Sequence, residues 1–378
     1  MTRADSKLKR DSVRELPLVA GQATAAGTQR FAQRFSDRFA PDFFRATAAG
    51  LTVSSIGIGT YLGECDDDED RRYTKVVAEG ARRGINLIDT AINYRCQRSE
   101  RAVGRALRTI IDEGIASRDE IVVCTKGGYV PLEGTPPASR TEYDTYLEEH
   151  YFSPSIMSRT DVVAGGHCVR PRFLADQIER SRHNLGVDKI DLFYLHNPEQ
   201  QLDSLDRSRF MATIDDAFAE LESQAAAGHI GAYGCATWNG LRVPAGSKNH
   251  LSLNDLLDTA KRVGGKAHHF RFVQLPVNLA MTEAVRSATQ TLHDEPVSVV
   301  DAARELQISV VASASLMQAQ LSSNLPAAVK SLFPGLDTDA QRAIAFVRSL
   351  PIASALVGMR SLGHLEENLA AGSAVIRA

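Results

Sequence analysis

The chain lacks any run of apolar residues long enough to cross a bilayer, and no apolar stretch follows the basic residues at its start. An integral membrane segment is therefore not expected. It also lacks a charge excess: 43 Lys and Arg stand against 46 Asp and Glu, for a net charge of −3 and an isoelectric point near 6.4. No nucleic-acid partner is expected from that balance. Cysteine is sparse. Cys65, Cys96, Cys124, Cys168 and Cys235 are scattered, odd in number and without the paired spacing of a metal site. They read as reduced thiols, so the expected location is cytoplasmic. The usual dinucleotide fingerprint is missing too, because no G-x-G-x-x-G opens a helix after a strand. What remains is ordinary for a folded globular chain, 43% hydrophobic and 24% charged over 378 residues. That length suits one large domain with extensions, or two smaller ones.

Residues 1–46 differ from the remainder and are read as an N-terminal extension to a main domain spanning 47–378. They hold nine Lys/Arg against five Asp/Glu, with a Gly/Ala/Thr-rich linker at Ala20–Thr28. Phe31, Phe35 and Phe39 recur at helical spacing beside Arg30, Arg34 and Arg38. This pattern predicts a short amphipathic helix packed on the main domain. Five acidic residues argue against a transit peptide, and a membrane-surface helix has only one short stripe behind it.

From Leu51 onward one alternation repeats: a short apolar run, a polar loop, an amphipathic stretch. The runs predict strands at Ser55–Gly59, Ile85–Asp89, Ile121–Lys126, Lys189–His196, Gly231–Ala236, Phe272–Val277, Ile308–Ala314 and Ala353–Val357. Helical patterns follow each, at Asp70–Arg83, Ser99–Glu113, Pro171–Leu185, Thr213–Ala227, Leu253–Val263, Pro296–Leu306, Thr338–Leu350 and Leu362–Ala371. Ser298 and Asp337/Thr338 stand as caps, Pro171 and Pro296 in first turns, and Gly186, Gly228 and Gly264 where helices stop. Eight strand–helix pairs predict an α/β fold, a parallel (β/α)8 TIM barrel, over an open doubly wound sheet.

The connection after strand three is far longer than the rest. About forty residues separate Lys126 from Pro171, and they include Tyr129, Tyr143, Tyr146 and Tyr151. A long loop in a compact domain is usually functional or disordered. The tyrosines favour a lid or pocket loop on the carboxyl-terminal rim, with an ordered packing insertion as the other reading.

Four chemically capable residues fall at or just beyond consecutive strand ends: Asp89, Tyr94, Lys126 and His196. Singly, each reads as a cap, a rim aromatic, a solvated end or a core histidine. A barrel brings them together. A tyrosine titrates near 10, too high for an efficient proton donor at neutrality. A lysine ammonium at ~4 Å stabilises the phenolate by up to ~4 kcal/mol at an effective dielectric of ~20. Lys126 is therefore expected to lower the pKa of Tyr94, with Asp89 holding Lys126 charged and His196 orienting a substrate oxygen. Such a site suits carbonyl reduction and needs an external hydride source.

The chain resembles the aldo-keto reductase family. The resemblance rests on G-I-G-T at Gly57–Thr60, N-L-I-D-T-A-I-N-Y at Asn86–Tyr94, S-E-R-A-V-G at Ser99–Gly104 and T-K-G-G at Thr125–Gly128. It continues through L-H-N-P-E at Leu195–Glu199, V-Q-L-P-V-N-L at Val273–Leu279 and V-G-M-R-S-L-G-H-L-E-E-N at Val357–Asn368. It implies a barrel binding NADP(H) across its carboxyl-terminal face, with Asp89, Tyr94, Lys126 and His196 as the catalytic set. It further implies Thr237 and Gln274 at the nicotinamide amide, with Ala236 where serine is usual. Ser313 stands where many members have a stacking tyrosine, and Thr60, Leu316 and Gly358 are further cofactor contacts. Glu367 and Asn368 match the adenine end. By the same resemblance, Arg360 or His364 is expected to face a 2′-phosphate, and His364 occupies the position that often carries arginine. NADP(H) is thus expected through Arg360, with NAD(H) as the alternative.

The expected function is reversible reduction of an aldehyde, ketone or sugar carbonyl to an alcohol by hydride transfer from NADPH, with Tyr94 as general acid/base. The alternative is a non-catalytic NADP(H)-binding regulatory or interaction module on the same barrel, motivated by Ala236, Ser313 and the basic extension. A metal-dependent barrel ranks third, since His167-Cys168 and His268-His269 are adjacent pairs that rarely converge on one metal.

Overall fold

The eight expected apolar runs pair side by side, all in parallel, until the last joins the first. In the computed structural model, which describes residues 17–374, they are β1 (Ile56–Gly59), β2 (Leu87–Asp89), β3 (Val122–Gly127), β4 (Ile190–His196), β5 (Ile230–Ala236), β6 (Phe270–Pro276), β7 (Ser309–Ser313) and β8 (Ser354–Gly358). Together they close into a barrel, so the (β/α)8 fold expected from the sequence is the fold observed. Strand boundaries move by no more than two residues from those expected.

The helices follow the same plan, with two local differences. Pro296 does not open a helix. It lies in a small antiparallel ribbon, Gln290–Leu292 with Glu295–Val297, and the helix starts after Ser298 at Val299. The helix expected from Thr213 begins earlier, at Arg207, because Asp206 caps it through the Arg209 amide. Elsewhere the punctuation acts as read. Thr338 and Gln341 form a reciprocal capping box, and Gly186 closes its helix in the left-handed region at φ 66°.

Strand alternation decides which side chains face the lumen. Leu87, Val122, Cys124, Leu192, Tyr194, Phe272 and Leu356 pack together inside the barrel, whereas their neighbours Ile88, Val123, Phe193 and Val273 pack outward against the helices. Two residues further along the inward set lie Asp89, Lys126, His196 and Gln274. The pleat that fills the core therefore also points these four polar groups inward at the carboxyl-terminal end.

The opposite end is plugged by a hairpin, Phe44–Ala46 with Thr52–Ser54, whose Leu51 and Val53 join the luminal cluster. Ahead of it, Ala25–Arg34 forms a helix capped by Thr24. Part of the expected linker, Ala25–Thr28, is thus helical, and Phe39 lies beyond the helix, stacked on Phe43 at 3.9 Å between ring centres. Residues 1–16 of the expected extension lie outside the described residues. The segment is held by polar contacts as well as by phenylalanines. Arg30 and Arg34 pair with Glu120, and Asp191 accepts the Ala23 amide at 2.6 Å.

Asp191 also takes the Val123 amide at 2.8 Å and pairs with buried Arg118 at 2.9 Å. Asp191→Ala would leave that guanidinium buried without its counter-charge. We expect a loss of about 3–5 kcal/mol, read as a lower urea midpoint of unfolding.

Candidate active site

The carboxyl-terminal end of the lumen is organised by one buried ion pair. Asp89 ends β2 and Lys126 is the penultimate residue of β3, where Asp89 registers with Cys124. Lys126 Nζ donates to Asp89 Oδ1 at 2.5 Å and to the Thr90 carbonyl at 2.8 Å. Gln274, from β6 across the barrel, donates to Asp89 Oδ2 at 2.8 Å. Both members of the pair are almost fully buried.

Tyr94 and His196 stand above this pair. The tyrosine sits in the turn after β2, its amide donating to the Ala91 carbonyl, and its ring centre is 4.8 Å from Lys126 Nζ. The ring centres of Tyr94 and His196 are 5.9 Å apart. The structure thus brings together all four residues singled out in the sequence. Asp89, Tyr94 and His196 line a cavity of about 610 Å³, with Lys126 buried behind them.

Electrostatics corrects one expectation. Burial raises the Tyr94 phenol above its ordinary pKa, and Lys126 opposes that rise without reversing it. The net lowering expected from charge proximity alone does not appear, because desolvation of a phenolate is the larger effect here. Burial also works against the Lys126 ammonium, but adjacent Asp89 outweighs it and keeps the lysine above its ordinary value. His196 is driven well below its ordinary value by burial and by nearby Lys126, so its imidazole is neutral at neutral pH. Tyr94 is accordingly protonated and sits beside a permanent cation and a neutral hydrogen-bonding ring.

The expected cofactor contacts divide into two groups. Thr60, Thr237, Gln274, Ser313, Leu316 and Gly358 line the same cavity as Tyr94. Thr237 Oγ1 is buried without a hydrogen-bond partner among the described residues, as is His196 Nδ1. Both fit a polar ligand that supplies the missing partner. The second group, Arg360, His364, Glu367 and Asn368, lies outside the cavity wall, on the last helix and the loop before it. There Arg360 is held by Glu69 through two bonds, 2.7 and 2.6 Å, whereas the His364 side chain is exposed. Asn368 is buried, and Glu367 accepts from Gln341 through its backbone carbonyl.

Several residues that the sequence did not single out as site residues complete the rim. Tyr61, Asn93, Tyr129, Asn197, Trp238 and Met281 also line the cavity, with Tyr61 and Trp238 among the exposed large hydrophobic side chains. Glu199 builds the loop after β5: its Oε1 accepts the amides of Trp238, Asn239 and Gly240 at 2.7–3.2 Å. Its presence in the L-H-N-P-E segment was a signal for its importance, though not for this task. The long insertion contributes Tyr129 to the cavity, while Tyr151 joins Val130, Leu147 and Met157 in a separate small core with Tyr143 and Tyr146 packed against it. Three of its four tyrosines therefore pack within the insertion, and Tyr129 reaches the cavity. His167 links the insertion to the site. Its Nε2 donates to the His196 carbonyl at 2.7 Å, and its Nδ1 accepts from Gln201 at 2.7 Å.

The Aldo/keto reductase family model matches residues 55–244. A D-threo-aldose 1-dehydrogenase from a Pseudomonas species is 32% identical over 195 residues, covering 50% of this chain and 51% of the relative. An NADH-specific methylglyoxal reductase from Escherichia coli is 29% identical over 151 residues, 39% of each chain. The chain thus aligns with about half of the length of one of these curated relatives and less of the other. Among solved structures, an aldo/keto reductase from Klebsiella pneumoniae in complex with NADP and acetate superposes with a TM-score of 0.59. At 18% identity, over 89% of this chain and 92% of that one, it shares the fold.

The buried His167 makes the insertion's docking sensitive to pH. Burial lowers its pKa from 6.5 to about 4, so as pH falls the unfolded chain takes up this proton before the folded one. The contribution is intact above about pH 6.5 and is lost as pH falls through about 4, amounting to about 3 kcal/mol in all. We expect urea midpoints to fall across that window, and to fall less steeply in His167→Gln.

Proposed function

The chain belongs to the aldo-keto reductase family, and from that premise we propose that it reversibly reduces an aldehyde, ketone or sugar carbonyl to an alcohol, with NADP(H) as its cofactor. The observation that carries this reading is the convergence of Tyr94, Asp89 and His196 on one cavity, with Lys126 buried directly behind them. The relatives named for an aldose and for methylglyoxal support the substrate class. Tyr61, Tyr129 and Trp238 at the rim give a small polar substrate flat apolar walls, and Asn93 and Asn197 give it amides.

In this proposal Thr237, Gln274, Thr60 and Ser313 hold the nicotinamide end, and Glu367 and Asn368 the adenine end. When bound, the reduced nicotinamide supplies the hydride. The protein's own residues do the proton chemistry. Tyr94, kept protonated by burial, gives its proton to the oxygen as negative charge develops there. Lys126 stabilises the phenolate left behind, and Asp89 and the Thr90 carbonyl keep the ammonium in place. Neutral His196 hydrogen-bonds the substrate oxygen and fixes its position. In the oxidative direction the same groups act in reverse, Tyr94 then accepting the proton.

Tyr94→Phe removes the donated proton and nothing else of size. It is expected to lower kcat/KM by about 10²–10⁴-fold while leaving NADPH affinity within about threefold, measured by steady-state kinetics and cofactor fluorescence. A panel of aldehydes, ketones and sugars, run with NADPH and NADH, tests the activity itself. Tight cofactor binding without turnover of any of them would favour a non-catalytic cofactor-binding module instead.

The Glu69–Arg360 pair bears on cofactor choice. A guanidinium already paired with a carboxylate meets a 2′-phosphate only by sharing that partner. Glu69→Gln is expected to tighten NADPH relative to NADH by about tenfold, roughly 1.4 kcal/mol, read as the ratio of the two dissociation constants.

A further inference from the structure

Two of the five cysteines, thirty-one positions apart in sequence, meet beside the candidate site. Cys65 Sγ and Cys96 Sγ are 3.8 Å apart. Cys65 lies in the loop after β1, directly before Asp66, which caps the following helix. Cys96 lies two residues beyond Tyr94, in a turn where Arg95, Cys96 and Gln97 all adopt positive φ, 49°, 54° and 70°. Three consecutive non-glycine residues in that region are uncommon and mark a segment constrained by its surroundings. The constraints are visible: Arg95 Nε donates to the Glu64 carbonyl at 2.8 Å, and the Cys96 carbonyl accepts the Gly134 amide at 3.0 Å.

We propose that Cys65 and Cys96 are a redox modification site, forming a reversible disulfide that fastens together the two loops flanking Tyr94. The accessibilities assign the order of events. Cys65 is half-buried and reachable, whereas Cys96 is buried, as are Cys124, Cys168 and Cys235 in the core. Burial, with Cys65 beside it, pushes the Cys96 thiol up to about 12, which leaves Cys65 as the first nucleophile. With a hydroperoxide as oxidant, the Cys65 sulfur attacks the peroxide, the O–O bond breaks, and a sulfenic acid and water form with hydrogen peroxide itself. The Cys96 sulfur then attacks the Cys65 sulfur, the S–O bond breaks, and the hydroxyl leaves with the Cys96 proton as a second water. In balance, two thiols and one peroxide give one disulfide and two waters, the sulfurs losing the two electrons that the peroxide oxygens gain.

A disulfide requires the sulfurs at about 2.05 Å, an approach of about 1.8 Å from their present separation. The two loops must share that movement, and they carry Tyr61 and Leu62 on one side and Asn93 and Tyr94 on the other, all lining the cavity. A displacement near 1 Å at reacting groups is enough to lower turnover by up to ~10²-fold. This consequence rests on the proposed role of Tyr94, whereas the bond itself does not.

The test is a thiol count on the full chain, treated with equimolar hydrogen peroxide, denatured and alkylated, with peptide mapping. Two of the five thiols are expected to be lost, in one linked pair containing residues 65 and 96, and recovered with dithiothreitol. Cys65→Ser, at the accessible position, is expected to form no internal disulfide. Five thiols retained as an alkylatable set after peroxide, or an undiminished two-thiol loss in Cys65→Ser, would overturn the proposal. Turnover is read in parallel: a reversible fall of at least several-fold supports the coupling to Tyr94, and a formed bond with unchanged turnover overturns that coupling alone.

Discussion

The top of the barrel depends on the ion pair between Asp89 and Lys126. An ammonium and a carboxylate in a lumen filled largely by apolar side chains are each several kcal/mol less favourable than in water. They are tolerable there because the pair is closed on further sides, by the Thr90 carbonyl and by the Gln274 amide. The closure ties β2, β3, β6 and the first residue after β2 to one another at a fixed height. Tyr94, only five positions beyond Asp89, inherits that height. The long apolar layers below make the pair rigid, and the pair in turn makes the turn above it definite.

The same pair explains why Tyr94 does not behave as charge proximity alone suggests. Coulombic attraction from Lys126 favours a phenolate, but the lysine is already neutralised by Asp89, and burial penalises a second anion nearby. A tyrosine in this position stays protonated until charge moves toward it. For a group proposed to give up a proton only as negative charge develops on a substrate oxygen, a high resting pKa keeps the acid form fully populated. On that proposal the lysine matters most after the proton has gone.

The barrel was legible because its signals are local and repeated. Apolar-rich runs of five to eight residues place a strand without knowledge of its neighbours, and period-two alternation then assigns the lumen. Asp89, Lys126 and His196 share parity with Leu87, Val122 and Leu192, which is why the site converges where strand ends are counted. Pro296 misled because proline suits both a helix start and an edge ribbon, and Ser298 decided between them. Features made by contacts between distant segments had no such signal. Cys65 and Cys96 look isolated in sequence because β1 and β2 are joined by a helix that brings their following loops back to the same rim. His167, counted as half of an adjacent His-Cys pair, proves to be a buried neutral donor to the backbone of His196. The insertion's tyrosines suggested a substrate pocket, but Tyr146 spends its hydroxyl on the Pro131 carbonyl and Tyr143 on that of Gly165.

The two halves of the site differ in how completely their polar groups are satisfied. Asp89 and Lys126 have protein partners, and Glu199 spends one carboxylate oxygen on three consecutive amides to shape the loop that carries Thr237 and Trp238. By contrast Thr237 Oγ1 and His196 Nδ1 are buried in the cavity wall with no partner among the described residues. Leaving such a group unpaired costs roughly 1–3 kcal/mol. On the proposed reading the division is coherent: groups that act on protons are held by the protein, and groups that hold a ligand await it. Gln274, which donates to Asp89, and Arg360, which donates to Glu69, are exceptions. Arg360 is the guanidinium expected to take a 2′-phosphate, yet its Nε and Nη2 already donate to Glu69, so a phosphate there must share the guanidinium with that carboxylate. On the proposed reading, the choice between the two nicotinamide cofactors then turns on how firmly Glu69, on the helix after β1, retains Arg360.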